Sequence, residues 1–88
     1  MMDIKKAAQK LKAIANIKRL EILFYLRDTE LSVGEIEKKL KLSQSALSQH
    51  LAVLRKAEIV KTRRKAQSIF YRLEDGRIKQ ILSIFEKD

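Results

Sequence analysis

The fold is decided by the stretch LSQSALSQHLAVLRKAEIVKTRRKAQSIFYRL, which covers residues 42–73. Its first half predicts a helix from about Gln44 to Ala57, with Ser43 in the position of the N-cap. Three leucines at helical spacing form the buried stripe of this helix: Leu47, Leu51 and Leu54. The second half predicts a β-hairpin, because β-branched and aromatic residues flank a charged segment. This order is typical of a helix-turn-helix that continues into a β-wing.

Uncharged polar side chains gather at the leading end of the predicted helix, away from its leucine stripe. They are Gln44, Ser45, Ser48 and Gln49. Amide and hydroxyl groups both donate and accept hydrogen bonds, and an amide pairs with adenine through two bonds in the major groove of DNA. We therefore predict that these four side chains read bases and that Ser43 contacts the DNA backbone. The alternative interpretation is an ordinary neutral surface.

The single histidine of the chain, His50, lies beside the leucine stripe. A transition-metal site is not expected there, because the chain offers no cysteine and no clustered carboxylates beside it. We predict a partly buried, hydrogen-bonded imidazole, with a contact to the DNA backbone as its other role. Catalysis is not predicted either, since no serine has a plausible base besides His50 and no spacing supplies the supporting carboxylate.

The predicted hairpin pairs Ile59–Thr62 with Ser68–Leu73 and places Arg63, Arg64 and Lys65 at its tip. Next to a helix that reads DNA, such basic side chains suit contacts with backbone phosphates, which add affinity without sequence information. Two alternatives stay open. Either the charges only prevent the edge of the hairpin from aggregating, or one arginine enters a narrow minor groove.

Three more helices are predicted before the helix at Gln44–Ala57. The first is amphipathic and covers Ile4–Ile14, with lysines outside its apolar stripe. The second is capped by Asn16 and is so apolar that we expect it in the core. Its apolar residues are Ile17, Leu20, Ile22, Leu23, Phe24 and Leu26. The third begins at a capping box formed by Ser32 and Glu35, and it ends near Lys41.

A last helix is predicted over Gly76–Glu86, and its stripe is too apolar for an exposed final helix. We expect it to form a homodimer interface with the first helix, since each large side chain buried there contributes about 1.5–3 kcal/mol. The predicted interface consists of Ile4, Leu11, Ile14, Ile78, Ile81, Leu82 and Phe85. The alternative is a helix that folds back on the core of its own chain.

Length and composition limit the class of protein. The 88 residues suffice for a single domain over residues 1–88, and a core of this size is marginal without a partner subunit. The net charge of +9 implies a polyanionic partner. Because cysteine is absent from the sequence, disulfides and thiolate metal sites are excluded. No segment has the length and apolarity of a membrane span or a signal peptide, so we expect a cytoplasmic protein without membrane contact.

From about Leu11 to Leu73 the chain resembles the ArsR/SmtB family of winged helix-turn-helix repressors. The most specific motifs are ELSVGEI at 30–36, LSQSALSQHLAVLRKA at 42–57 and RRKAQSIFYRL at 63–73. The chain is most similar to the metal-independent branch that includes the hemolysin-activator regulators. The resemblance implies that the four polar side chains lie on the DNA-reading helix and that residues 63–65 follow the DNA backbone.

The chain departs from the family pattern at several positions. Metal-sensing members carry thiolates where this chain has Ser32 and Gly34, and others use ligands on the last helix, which here has neither histidine nor cysteine. The dithiol of sulfide-sensing members is missing as well. The resemblance thus implies a regulator without metal, cofactor or thiol sensing. Glycines common in the family are replaced by Lys41, Glu58 and Ala66, which affects local turn geometry but not the fold.

These features together predict a mainly α fold with a small β-hairpin, in the order α-α-α-α-β-β-α. We predict a transcriptional regulator that binds double-stranded DNA at an inverted-repeat operator as a homodimer. Two alternatives stay open. A non-specific nucleoid or RNA-binding winged-helix protein would bind without operator preference, and a protein-interaction subunit would use its basic wing to contact an acidic partner.

Overall fold

The computed structural model describes residues 1–87, which fold into five helices and one three-stranded antiparallel sheet. In chain order the elements are α1 (Ile4–Ile14), α2 (Ile17–Leu26), β1 (Leu31–Ser32), α3 (Val33–Leu40), α4 (Gln44–Lys56), β2 (Val60–Lys65), β3 (Ser68–Leu73) and α5 (Gly76–Glu86). The predicted winged helix-turn-helix is confirmed, with one addition to the predicted order. Strand β1 pairs with β3, and its two residues are too few for a periodic pattern to reveal them.

Side-chain caps fix where the helices of the helix-turn-helix begin. Asn16 caps α2 and Ser43 caps α4, each by accepting a hydrogen bond from the backbone N–H three residues further on. At α3 the capping box is complete. The Ser32 hydroxyl accepts from the Glu35 N–H at 3.2 Å, and the Glu35 carboxylate accepts from the Ser32 N–H at 2.8 Å. All three predicted caps are confirmed, and the cap at Ser43 ends the short turn between α3 and α4.

A single apolar core lies between the helices and the sheet. Its largest fully buried side chains are Ile22, Leu23, Leu26, Ile36, Leu47, Leu54, Ile59 and Val60. Helix α2 belongs to the core as predicted, through Ile22, Leu23 and Leu26. Its other side is open, because Ile17 is 77% exposed, Phe24 is 50% exposed and Leu20 is exposed as well. This helix is apolar around most of its circumference, and only one side of it can face the core of the chain.

The wing is the β2–β3 hairpin, and its strands extend further than predicted. Pairing continues to Lys65 opposite Ser68, so the loop consists only of Ala66–Gln67. Arg63–Lys65, which were predicted to form the tip, belong to β2, and of the three only Lys65 borders the loop. Strand β2 lies at the edge of the sheet, where exposed charged side chains are tolerated and the ladder can continue through them.

Three residues other than glycine have a left-handed backbone: Lys41 (φ 54°), Glu58 (φ 60°) and Ala66 (φ 56°). They lie after α3, between α4 and β2, and in the loop of the wing. These are the same three positions at which glycine was expected from the family pattern. A residue with a Cβ is strained in this region of the backbone map, so each position stores a small destabilisation.

We expect Lys41→Gly, Glu58→Gly and Ala66→Gly each to raise the free energy of unfolding by up to about 1 kcal/mol, because glycine adopts positive φ without strain. Urea unfolding at a fixed protein concentration measures the change. Ala8→Gly, at an exposed position of α1, is the control and should lower stability by about 1 kcal/mol. If all four substitutions destabilise alike, backbone strain is not relieved at the three positions.

Candidate nucleic-acid interface

The polar face of α4 is formed by Gln44, Ser45, Ser48 and Gln49, and all four side chains are exposed. Within residues 1–87, side-chain hydrogen bonds from α4 to other elements involve only His50 and Arg55. The amide and hydroxyl groups of the polar face are therefore available to a ligand. The opposite side of α4 holds the predicted stripe of Leu47, Leu51 and Leu54, which is buried in the core.

His50 lies at the border between the polar face and the core. The structure places its Nδ1 at 3.3 Å from Nη1 of Arg19, in a partly buried contact. Burial lowers the pKa of His50, and the positive charges of Arg19 and Lys18 lower it further. The imidazole is therefore neutral at neutral pH, and Nδ1 accepts the hydrogen bond from Arg19. The predicted partly buried, hydrogen-bonded histidine agrees with this placement, while its contact with DNA stays a prediction.

The wing is held against the side of α4 near the end of that helix. Nη1 of Arg55 donates a hydrogen bond to the Tyr71 hydroxyl at 3.0 Å. The Ile59 N–H donates to the Leu54 carbonyl at 3.0 Å and fixes the link from α4 to β2. These contacts join the polar face of α4 and the wing in one fixed arrangement.

The Arg63 side chain contacts other residues of the protein and does not extend freely from the tip of the wing. Its Nε and Nη2 contact the Glu30 carboxylate at 2.7 and 2.6 Å, and its guanidinium stacks 4.9 Å from the ring centre of Phe70. The hydrogen bond from Arg63 holds the pKa of Glu30 below its usual value, so this carboxylate is charged above acidic pH. Of the three basic residues predicted to contact the DNA backbone, Arg63 is the one whose charge is already neutralised.

Arg64 and Lys65 form no salt bridge in the part of the chain that the structure describes. Both are exposed, and Arg64 lies opposite Ile69 on the other face of the hairpin from Arg63. Alternation along the strand thus places Arg64 on one face and Arg63 and Lys65 on the other, although the three are neighbours in the sequence. We therefore expect Arg63 and Arg64 to differ in their contribution to DNA binding.

We expect Arg64→Gln to weaken binding to any duplex and to flatten the plot of log affinity against log salt by about 0.9 for each lost phosphate contact. Arg63→Gln removes the same charge but should change the slope much less, because Glu30 already neutralises Arg63. Fluorescence titrations with random duplex at several salt concentrations measure both slopes. An Arg64→Gln slope equal to that of the wild type would contradict a phosphate contact, and a loss confined to A·T-rich flanks would indicate the minor groove instead.

An apolar groove crosses the surface formed by α1, α2 and α5. It has a volume of about 630 Å³. Its lining residues are Leu11, Ile14, Ala15, Leu20, Glu21, Phe24, Ile81, Leu82, Phe85 and Glu86. Contiguous exposed apolar side chains on a small domain mark an interaction surface, because their contact with water is unfavourable.

The groove changes the predicted dimer interface. Ile14, Ile78 and Leu82 are buried within their own chain, although Ile14 and Leu82 also line the groove, and their contact with a partner stays a prediction. Ile4, Leu11 and Phe85 are exposed and Ile81 is half-buried, which leaves them available to a partner. Leu20 and Phe24 of α2, which the sequence pattern assigned to the core, line this groove instead. The signal was the apolar run Ile22–Leu26 together with Ile17 and Leu20, which exceeds what one buried side requires.

A family model described as the arsR family of bacterial regulatory proteins matches residues 16–62. The chain belongs to the ArsR family. The matched range begins at the cap of α2 and includes all of α3 and α4. It therefore contains the polar face of α4 together with the turn that positions it.

Among related proteins, the transcriptional activator HlyU of Vibrio cholerae is 51% identical over 93% of this chain and 76% of its own length. Its solved structure superimposes with a TM-score of 0.89, covering 94% of this chain and 90% of that one. A biofilm growth-associated repressor of Agrobacterium fabrum is 47% identical over 82% of this chain, which spans 62% of that protein. The predicted family resemblance is confirmed.

A third similar structure is that of a homodimer. The homodimeric winged helix-turn-helix DNA-binding domain from Mycobacterium bovis, described as a possible ArsR-family regulator, superimposes with a TM-score of 0.85 at 25% identity. The match covers 94% of this chain and 77% of the Mycobacterium bovis chain. As an ArsR-family member, the protein is a DNA-binding transcriptional regulator and not an enzyme. Within residues 1–87, no helix is both long and apolar enough to cross a lipid bilayer.

Proposed function

We propose that this ArsR-family protein binds an inverted-repeat operator as a homodimer and reads bases through Gln44, Ser45, Ser48 and Gln49. The observation that carries the proposal is the polar face of α4. Its side chains are exposed and make no hydrogen bonds to other elements of the described chain, and the wing lies beside them. Amides in this position can form paired hydrogen bonds with adenine in the major groove.

A twofold-symmetric dimer sets the geometry of the site on DNA. Two copies of α4 enter successive major grooves, so the half-sites lie about 10 bp apart from centre to centre. The apolar groove on α1, α2 and α5 supports the dimer, and it lies on elements other than α4 and the wing. The homodimeric Mycobacterium bovis domain, which has a similar fold, supports it as well.

The proposed regulator responds to neither metals nor thiol oxidants. The sequence contains no cysteine. Residues 1–87 contain no group of three or more histidine, aspartate or glutamate side chains placed to hold a metal ion. We infer that occupancy of the operator is set by the concentration of the protein or by competition with other DNA-bound proteins.

We expect Gln44→Ala and Gln49→Ala each to weaken binding to the operator by about 1–3 kcal/mol and to affect random duplex much less. The operator is first selected from genomic fragments by the wild-type protein, and affinities are then measured by titration. Gln80→Ala, at an exposed position of α5, is the matched control and should change neither affinity.

Three other outcomes would contradict the proposal in different ways. Equal losses on operator and random DNA would remove the base-reading role of the polar face. Selection that yields no preferred sequence would indicate a non-specific nucleoid or RNA-binding protein. Failure to bind duplex at all would leave the basic wing as a surface for an acidic protein partner.

A further inference from the structure

A basic pocket opens between α1, α2 and α4. Its cations are Lys12, Arg19 and Lys56, one from each helix, and no carboxylate is among its lining residues. The pocket has a volume of about 300 Å³, which is ample for a phosphate group. The wing contacts α4 through Arg55, whereas the pocket borders α4 at Val53 and Lys56. The two basic features therefore flank different sides of the same helix.

None of the three cations forms a salt bridge within residues 1–87. By contrast, Lys10, two residues before Lys12 in α1, is paired with Asp75. Three cations around one pocket repel one another, and an anion placed between them removes that repulsion. The arrangement thus favours an anionic ligand, since the part of the chain that the structure describes offers no salt-bridge partner for these charges.

Arg19 is fixed in place before any ligand binds. Its Nε donates to the Ala13 carbonyl at 2.5 Å, and its Nη1 donates to Nδ1 of His50 at 3.3 Å. A guanidinium carries five N–H donors, so those not used in these two contacts remain available. A planar, ordered guanidinium matches the geometry of phosphate oxygens and loses little side-chain freedom when it binds them.

The pocket lies on the same side of α4 as Gln49, one of the proposed base-reading residues. Gln49, Val53 and Lys56 follow one another at i, i+4 and i+7, so they lie along one side of α4. Lys56 is two turns, about 10 Å, beyond Gln49 along the helix axis. The major groove is only about 12 Å wide and is bounded on both sides by phosphates. A side of α4 that faces away from the wing therefore meets the second wall of the groove.

We propose that Lys12, Arg19 and Lys56 bind a backbone phosphate of the operator on the groove wall opposite to the wing. This inference rests on the proposed function, because it requires the polar face of α4 to lie in the major groove. Neither the sequence pattern nor the wing predicts these contacts. They make α1 and α2 part of the DNA-binding surface. Together with the wing, they place backbone contacts on both sides of α4.

The test compares Lys12→Gln and Lys56→Gln with Lys79→Gln, which removes the same charge from an exposed position of α5. Each pocket variant is expected to flatten the plot of log affinity against log salt by about 0.9 per subunit, which corresponds to about an eightfold weaker contact at 0.1 M salt. Operator and random duplex should lose affinity by the same factor. Circular dichroism melting curves confirm that the variants are folded, and all three lysines are exposed.

Ethylation interference on the operator identifies the phosphate itself. We expect one interfering phosphate in each half-site to disappear in both pocket variants and to persist in Lys79→Gln. Pocket variants whose slope and interference pattern match Lys79→Gln would overturn the phosphate contact, while specific binding by the wild type would still uphold the proposed function. Binding of millimolar inorganic phosphate to the pocket, followed by NMR, together with unchanged DNA slopes would instead assign the pocket to a free anion and overturn the proposal.

Discussion

The Phe85→Asp protein is expected to be a monomer and to bind the operator at least about 100-fold more weakly than the wild type. Phe85 is 68% exposed and lines the apolar groove with Leu20 and Phe24. In a twofold-symmetric interface each substitution occurs twice, so two carboxylates enter an apolar contact. The dimer also loses two large apolar contacts of about 1.5–3 kcal/mol each, which is more than 100-fold in the dimerisation constant.

Light scattering across a range of protein concentrations measures the mass, and titration with operator DNA measures the affinity. Ile69→Asp is the control for mass, because Ile69 is an exposed apolar residue of the wing and not of the groove. Leu82→Asp does not test the dimer interface, since Leu82 is buried in the core of its own chain and the variant would unfold. A Phe85→Asp protein with the same mass as the wild type would place the dimer interface elsewhere or remove it.

Asp75→Ala is expected to lower the free energy of unfolding by about 2–4 kcal/mol, since it removes a charged hydrogen bond and a helix cap together. The Asp75 side chain is 7% exposed and accepts from the Lys10 ammonium at 2.5 Å. It also caps α5 by accepting from the Arg77 N–H at 2.9 Å. Lys10 donates in addition to the Glu58 carbonyl at 3.3 Å, so the substitution leaves a half-buried charge with one neutral partner.

The pH dependence of stability gives a second measurement of the same contact. Burial acts to raise the pKa of Asp75, but hydrogen bonds from Lys10 and from the Arg77 and Ile78 N–H groups outweigh burial and hold it below the usual value. A lowered pKa stabilises the fold fully above the unfolded value of about 3.9, and that stabilisation is lost as pH falls further. The difference in stability between wild type and Asp75→Ala should therefore be constant from neutral pH to about pH 4 and shrink below it.

Asp28→Ala is the matched control for these unfolding experiments. Asp28 pairs with Arg27 at the surface, and such pairs contribute no more than about 1 kcal/mol. Guanidinium unfolding at one protein concentration compares the three proteins. If Asp75→Ala costs no more than Asp28→Ala, the contact between α1 and α5 does not stabilise the fold as its burial indicates.

The sequence predicted the elements of this fold whose signals are local. The caps at Asn16, Ser32 and Ser43 depend on residues three apart, and the leucine stripe of α4 depends on one helical period. Both kinds of pattern appear within a few residues, so both were confirmed. The family pattern likewise indicated the three left-handed positions, because it has glycine where this chain has Lys41, Glu58 and Ala66. Backbone conformation at a turn restricts the residue type there.

Features that depend on distant residues were not predictable in the same way. The pairing of Arg63 with Glu30 joins the wing to the segment before β1, and no local pattern reveals it. The exposed side of α2 and the basic pocket both depend on how three helices pack. An apolar helix shows that one side is buried, but the packing alone determines which side remains open.

The contact between Arg63 and Glu30 has a consequence for the rate at which the protein binds DNA. Glu30 lies just before β1, so the wing is tied to the start of the helix-turn-helix even when no DNA is present. The salt bridge between Arg63 and Glu30 thus holds the hairpin beside the segment before β1 in the free protein. We expect association to require no rearrangement of the hairpin, so that diffusion and electrostatic attraction set the rate constant for binding.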